Sequence, residues 1–186
     1  MASIVIGLTG KNAAGKGTVA RFLSQNNFNY HSLSDSLRDE LRRLGKEETR
    51  ENLIEIGNRL RKEGGPGVLA DKMIPKLELD NNHIIDSIRN PFEVNSLREK
   101  LLSNTFILIS VDADARLRYD RLCSRGRIGD SDSWESFVNQ EKQEENNDDP
   151  NKQQLSKTMN MADYSVDNSG SLGDLEKQVR KILSKL

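Results

Sequence analysis

The 186-residue sequence contains one cysteine, Cys123, so it can form no internal disulfide, which fits a reducing compartment. It has no apolar run near the length of a membrane span. Its start leads straight into a short strand-like segment with no leader pattern. Charge of one sign is also lacking: 28 Lys and Arg stand against 29 Asp and Glu, a net −1, so no overall basic bias points to nucleic acid or to a membrane surface. Aromatics make up only 5% of the chain, and no internal repeat is present. These absences lead us to expect a cytoplasmic protein of one domain, a monomer or homodimer, that engages neither nucleic acid nor membrane. Any anion binding must come from local clusters.

One such cluster stands near the start. The apolar run 4–8 is followed by Gly10-Lys11-Asn12-Ala13-Ala14-Gly15-Lys16-Gly17-Thr18, and a helical pattern opens after it. A glycine-rich loop between a strand and a helix is a phosphate cradle. Its backbone N–H groups turn into one concavity, and the helix N-terminus adds roughly half a positive charge. Lys16 can then reach the outer phosphates of a nucleoside triphosphate, and Thr18 offers a hydroxyl to Mg²⁺. The competing reading is an ordinary glycine-rich turn.

Along the chain, short apolar strands alternate with helical patterns. Strands are expected over 4–8, 28–33, 83–89, 105–111 and 164–167. Helices are expected over 18–25, from Ser34 to Leu44, from Thr49 to the breaker 64–67, over 68–77, after the Asn90-Pro91-Phe92-Glu93 cap, after Asp112 or Asp114, over 152–161, and after the Ser171 cap with Leu172, Leu175, Val179, Ile182 and Leu186 inward. The stretch 126–149 is polar and reads as a mobile surface excursion, pinned by Trp134 and Phe137, with a solvated acidic run 141–149. This alternation implies a three-layer α/β/α fold with a five-stranded parallel sheet. Ligands would bind at the carboxyl ends of its strands, where 10–18, Ser34-Asp35, 86–89 and the loop after Asp112 fall. His31 and His83 do not fall there and read as structural or exposed.

Several motifs carry a resemblance. The Gly-Lys-Gly-Thr at 15–18 resembles that of adenylate kinase-type nucleotide kinases. Asp35-Ser36-Leu37-Arg38 looks like their Gly-Asp-x-Leu-Arg, with Ser34 in place of the glycine. Asp86-Ser87-Ile88-Arg89 resembles their Asp-Gly-x-x-Arg, one residue shorter. Arg121-Leu122-Cys123-Ser124-Arg125 looks like the Arg-x-x-x-Arg that opens their lid, with Arg127 adding a charge. Each motif has a bland counterpart: a solvated helix arginine for Arg38, and a dipole-favoured basic helix end for Arg121 and Arg125. The ending 162–172 looks like that of dephospho-coenzyme A kinase. The middle looks like the adenylate kinase-related proteins of archaea and the P-loop domain attached to some deoxycytidylate deaminases. The deaminase motif itself (His-x-Glu with Pro-Cys-x-x-Cys) is missing.

The resemblance implies a P-loop NTPase fold using Mg²⁺ and ATP. Its core would span 1–33, 80–125 and 152–186, with acceptor-binding helices at 34–79 and a lid at 126–151. Lys16, Asp86, Arg89 and Arg125 are the implied catalytic residues. Gly10, Asn12, Ala13, Ala14, Gly15, Lys16, Gly17, Thr18, Arg121 and Ser169 would bind ATP. Asp35, Arg38 and Arg89 would bind the acceptor, and Thr18 and Asp86 would serve the metal. One departure is notable: no arginine lies between Arg127 and Arg180, so the far side of the lid lacks the further arginines that such kinases bring, unless Lys142, Lys152 or Lys157 substitutes. The expected function is ATP-dependent phosphorylation of a nucleoside or deoxynucleoside monophosphate. The alternatives are a dephospho-coenzyme A kinase, with Asp35 as a base toward a sugar hydroxyl, and a non-catalytic nucleotide sensor.

Overall fold

The computed structural model describes residues 3–78, 80–101, 105–126, 130, 133–145 and 147–186. In chain order these form β1 (Ile4–Gly10), α1 (Lys16–Ser24), β2 (Phe28–Ser32), α2 (Leu33–Arg43), α3 (Arg50–Gly64), α4 (Val68–Met73), a 3₁₀ turn at Ile74–Lys76, β3 (Asn82–Ile88), α5 (Pro91–Lys100), β4 (Thr105–Asp112), α6 (Ala115–Arg125), α7 (Trp134–Glu145), α8 (Leu155–Asn160), β5 (Tyr164–Asp167) and α9 (Leu172–Leu183). The five strands pair in parallel in the order β2-β3-β1-β4-β5.

The sheet is buried on both faces, as the unbroken apolar runs require. On one face Val5, Ile85, Ile88 and Leu108 meet Leu37 and Leu41 of α2, Ile56 of α3, Leu69 of α4 and Leu97 of α5. On the other, Ile6, Leu8, Ile84 and Ile109 meet Val19 and Leu23 of α1 and Leu175 and Val179 of α9. Each such fully buried side chain contributes about 1.5–3 kcal/mol.

Strand β3 breaks the two-residue rhythm at one place. Gly7 pairs with Ile85 but Thr9 pairs with Ile88, so β3 carries one extra residue there. Ile85 and Ile88 therefore share a face although they lie three apart. The extra step falls at Asp86-Ser87, where Ser87 takes φ 68°. A bulge of this kind re-aims side chains at the end of a strand. Ser87 stands where the resembled Asp-Gly-x-x-Arg motif has its glycine, the residue suited to that backbone.

Caps and ends differ from expectation in several places. The cap of α2 is Ser32, whose hydroxyl accepts from Ser34 N–H, and not Ser34. Asp114 precedes α6 without a side-chain cap, and the Asp112 carboxylate accepts from Ala113 N–H outside the helix. Helix α8 begins at Leu155, later than the expected 152. Leu172 and Leu186 are exposed instead of joining the inner stripe of α9. Asn90, Thr49 and Ser171 cap α5, α3 and α9 as the sequence indicates. The largest correction concerns 126–149. Its described part includes the twelve-residue helix α7, docked through a buried Phe137 that packs with Tyr119 and Trp134. Arg127 lies outside the described residues.

The basic end of α3 is only partly solvated: Lys62 is exposed, whereas Arg61 turns inward. Arg61 is buried, and its Nε and Nη2 donate to Glu93 Oε1 at 3.1 and 2.8 Å. Glu93 is fully buried, and its other oxygen accepts from Arg89 N–H and Asn90 N–H at 2.9 and 3.2 Å. Removing one partner of a buried pair strands the other charge. Glu93→Ala should therefore lower stability by about 3–5 kcal/mol in urea titration, whereas replacing the exposed pair member Glu55 should leave the midpoint within about 0.5 kcal/mol.

Candidate functional site

A cavity of about 1010 Å³ opens at the carboxyl ends of β1, β2 and β3. Of the residues singled out from sequence, Asn12, Ala13, Gly15, Lys16, Gly17, Thr18, Arg38, Asp86, Arg89, Arg121 and Arg125 line it. Four do not. Gly10 and Ala14 serve the loop through their carbonyls, which accept from Lys16 Nζ at 2.8 Å and Asn168 Nδ2 at 2.8 Å. Asp35 is exposed and pairs with Arg38 at 3.0 Å outside the lining. Ser169 ties its turn to the loop before α6: its hydroxyl accepts from Asp114 N–H at 3.0 Å and donates to Asp167 Oδ1 at 2.6 Å. The neighbour Asn168 is the residue that reaches the phosphate loop.

The loop is shaped for an anion. Gly15 has φ 101°, and a Cβ there would lie 2.1 Å from Asn168 Nδ2. No larger residue fits that turn without displacing the side chain that holds it. Lys16 Nζ folds back onto the carbonyls of Gly10 and Lys11 at 2.8 and 3.0 Å. Burial pushes its pKa down to about 8, helped by the charges of Arg89 and Arg50 and opposed by Asp86 and Glu144. A lysine so desolvated gains by meeting phosphate.

Asp86 is 7% exposed; its Oδ2 accepts from Tyr30 O–H at 3.1 Å and its Oδ1 from Ser87 N–H at 2.5 Å. Burial and the adjacent Asp86 charge push the Tyr30 phenol upward, so it stays a donor. Among the described residues no group of three or more His, Cys, Asp or Glu could hold a metal ion. Thr18 and Asp86 nevertheless present two hard oxygen donors to one cavity. That set fits magnesium, which keeps several waters and takes its other ligands from phosphates. Bound there, it would neutralise charge developing on a triphosphate.

Arg121 and Arg125 leave α6 on one side, as their spacing requires. Arg121 Nη2 donates to Asn168 carbonyl at 2.8 Å, while Nη1 is buried with no hydrogen-bond partner. Arg125 forks onto Asp130 at 2.8 and 2.7 Å and touches Asn12 Oδ1 at 3.2 Å.

Sequence reasoning missed Arg50, Glu144, Tyr30 and Gln153. Arg50 Nε donates to Glu144 Oε1 at 3.0 Å, and Arg89 Nη1 donates to Glu144 Oε2 at 3.0 Å and Gln153 Oε1 at 3.2 Å. The acidic run is thus not wholly solvated. Glu144 is buried, Glu141 pairs with the buried Arg118, and Glu145 pairs with Lys11 at 2.8 Å. Only the Thr49 cap pointed toward Arg50, by placing it in the first turn of a helix. Nothing local marked Glu144 among its acidic neighbours.

The Lys16 shift has a readable consequence. At pH 8 about half of the free protein has neutral Lys16, and a polyphosphate favours the charged form. Binding of ATP at pH 8 should therefore take up close to half a proton, measured by calorimetry in buffers of different ionisation heat, and Lys16→Met should abolish the uptake. In the absence of ligand the lowered value means that the unfolded chain holds this proton more tightly. The Lys16 contribution to stability therefore rises with pH between about 8 and 10.5.

A family model described as an AAA domain (AAA_18) matches residues 6–149. The UPF0200 protein of Methanothermobacter thermautotrophicus is 31% identical over 100% of this chain and 92% of its own length. The UPF0200 protein of Thermococcus gammatolerans is 30% identical over 98% of this chain and 95% of its own. Among solved structures, TT1252 from Thermus thermophilus superposes with TM-score 0.59 and 22% identity, covering 100% of this chain and 99% of that one. Shikimate kinase from Aquifex aeolicus superposes with TM-score 0.54 and 14% identity over 97% and 96%. At those identities the likeness speaks for the fold, a P-loop kinase-like three-layer α/β/α arrangement. The relatives share no name with the adenylate kinases, so the resemblance holds at the level of that fold. The chain belongs to the UPF0200 family and is built on an AAA-type domain.

Proposed function

We propose that the protein is an ATP- and Mg²⁺-dependent phosphotransferase whose acceptor is itself a phosphate ester, a nucleoside or deoxynucleoside monophosphate. The observation that carries this reading is the content of one cavity: the phosphate loop together with Arg38, Arg50 and Arg89, which come from three different parts of the chain. Guanidinium groups fork onto phosphate oxygens better than any other side chain. Lys16 would hold the donor's β- and γ-phosphates, and Arg121 and Arg125 would lie over the donor.

The reaction on this reading is a direct in-line transfer. An oxygen of the acceptor phosphate forms a bond to the γ-phosphorus as the bond from that phosphorus to the β,γ-bridging oxygen breaks, leaving ADP. A phosphate acceptor is already an anion, so no strong base is required. A sugar hydroxyl would need one. Asp35, the candidate for that role, is exposed and held by Arg38; Asp86 is engaged by Tyr30 and Ser87. These pairings favour the phosphate acceptor over dephospho-coenzyme A.

ADP formation should be followed with Mg-ATP and each ribo- and deoxynucleoside monophosphate in turn, with dephospho-coenzyme A included. Strong stimulation by one monophosphate is expected. Arg89→Gln should then lose about 1.5–3 kcal/mol of transition-state binding, roughly 10- to 150-fold in kcat/KM for that acceptor, with ATP binding retained. Stimulation by dephospho-coenzyme A alone would replace the acceptor. Tight ATP binding with no acceptor-dependent turnover would turn the reading to a nucleotide sensor.

A further inference from the structure

The cavity holds a carboxylate in a place built for anions. Glu144, in the last turn of α7, is 5% exposed. One of its oxygens accepts from Arg50 Nε at 3.0 Å and the other from Arg89 Nη1 at 3.0 Å. Arg50 comes from α3 and Arg89 from the turn between β3 and α5, so Glu144 joins two separate parts of the chain to α7. Both arginines are largely withdrawn from water, with side chains 16% and 19% exposed. The rest of α7 docks in the same way, Glu141 onto Arg118 and Glu145 onto Lys11. Positions 141, 144 and 145 share one helix face. Helix α7, which carries no arginine, thus brings carboxylates, one of them between Arg50 and Arg89.

Lys16, Arg50, Arg89 and Arg125 gather around Asp86 and Glu144. Glu144 holds the Arg50 and Arg89 donors that a phosphate would need. Phosphate also offers three acceptor oxygens to two forked donors, where a carboxylate offers two.

We propose that Glu144 is a resident competitor of the acceptor phosphate: a phosphate dianion takes Arg50 and Arg89 by displacing the Glu144 carboxylate, and this displacement releases the end of α7 from the site. The proposal rests on the acceptor reading of this cavity and adds Arg50 to the phosphate seat. An internal group that occupies the seat lowers apparent ligand affinity by the fraction of time the seat is free. Removing it should therefore tighten binding.

The test is calorimetric titration of inorganic phosphate at pH 7 into the wild-type protein, Glu144→Gln, Glu144→Gln/Arg50→Gln and Asp148→Asn. Asp148 is exposed and lies in the same segment, so its variant repeats the change in net charge away from the seat. Glu144→Gln should bind phosphate about tenfold tighter or more. Adding Arg50→Gln should erase that gain, and Asp148→Asn should match wild type. Glu144→Asp, which keeps the charge and withdraws it by one methylene, should fall between wild type and Glu144→Gln, and it decides the matter if Glu144→Gln does not fold by circular dichroism. Trp134, the only tryptophan, opens α7 against Tyr119 and Phe137, so its emission should change along the wild-type phosphate titration. Unchanged or weaker binding by Glu144→Gln, a gain that survives loss of Arg50, or an equal gain in Asp148→Asn overturns the competition. Flat Trp134 emission through saturation overturns the release of α7. No turnover is measured, so a protein that behaves as stated but phosphorylates nothing in the acceptor panel refutes the kinase reading and leaves the competition standing.

Discussion

A single buried carboxylate holds the Arg50 and Arg89 side of the cavity in register. One oxygen of Glu93 accepts the N–H groups of Arg89 and Asn90 and so starts α5. The other binds the guanidinium of Arg61 and so fixes α3 against that start. Arg50 lies at the beginning of α3 and Arg89 at the entrance to α5, so their convergence on one point depends on this tie. Both charges are out of water, and the pair is satisfied by four hydrogen bonds to Glu93. That is the condition under which a buried ion pair specifies geometry instead of merely opposing folding.

The second constraint is the extra residue in β3. Without it Asp86 would keep the plain alternation of the strand and Ile88 would leave the face it shares with Ile85. With it, Ile88 returns to the core and the Asp86 carboxylate stays at the strand end, bonded to Tyr30 across the neighbouring strand. The bulge thus reconciles a packing demand with a chemical one in three residues.

Much of this was legible in the sequence because it is local. The phosphate loop, the parallel sheet and the caps at Thr49, Asn90 and Ser171 each follow from short patterns whose physics acts over a few residues. The arginines at 38, 89, 121 and 125 were singled out through short motifs that resemble those of nucleotide kinases, and all four line the cavity. What was illegible acts over distance. Glu144 is separated from Arg50 by 94 residues and from Arg89 by 55, and its local surroundings are those of any solvated acidic run. Distance also hid the pairing of Arg61 with Glu93, 32 residues away. Ser169 was chosen where Asn168 does the bonding, because a loop can be placed from sequence more easily than the side chain it turns inward.

The two walls of the cavity are attached by different forces. Helices α2, α3 and α4 share one apolar cluster with the sheet, through Leu37, Leu41, Ile56, Leu69 and Met73. Charge screening does not act on that apolar contact, although the Arg59–Glu40 pair adds an ionic tie between α3 and α2. Helix α7 reaches the body through one buried ring, Phe137, and through Glu141, Glu144 and Glu145 on their cations. Dissolved ions screen such pairs to the degree that water reaches them. Within α7, ionic strength therefore acts first on the Glu145–Lys11 pair, whose side chains are 24% and 27% exposed, and least on the pairs of the buried Glu144 and Arg118.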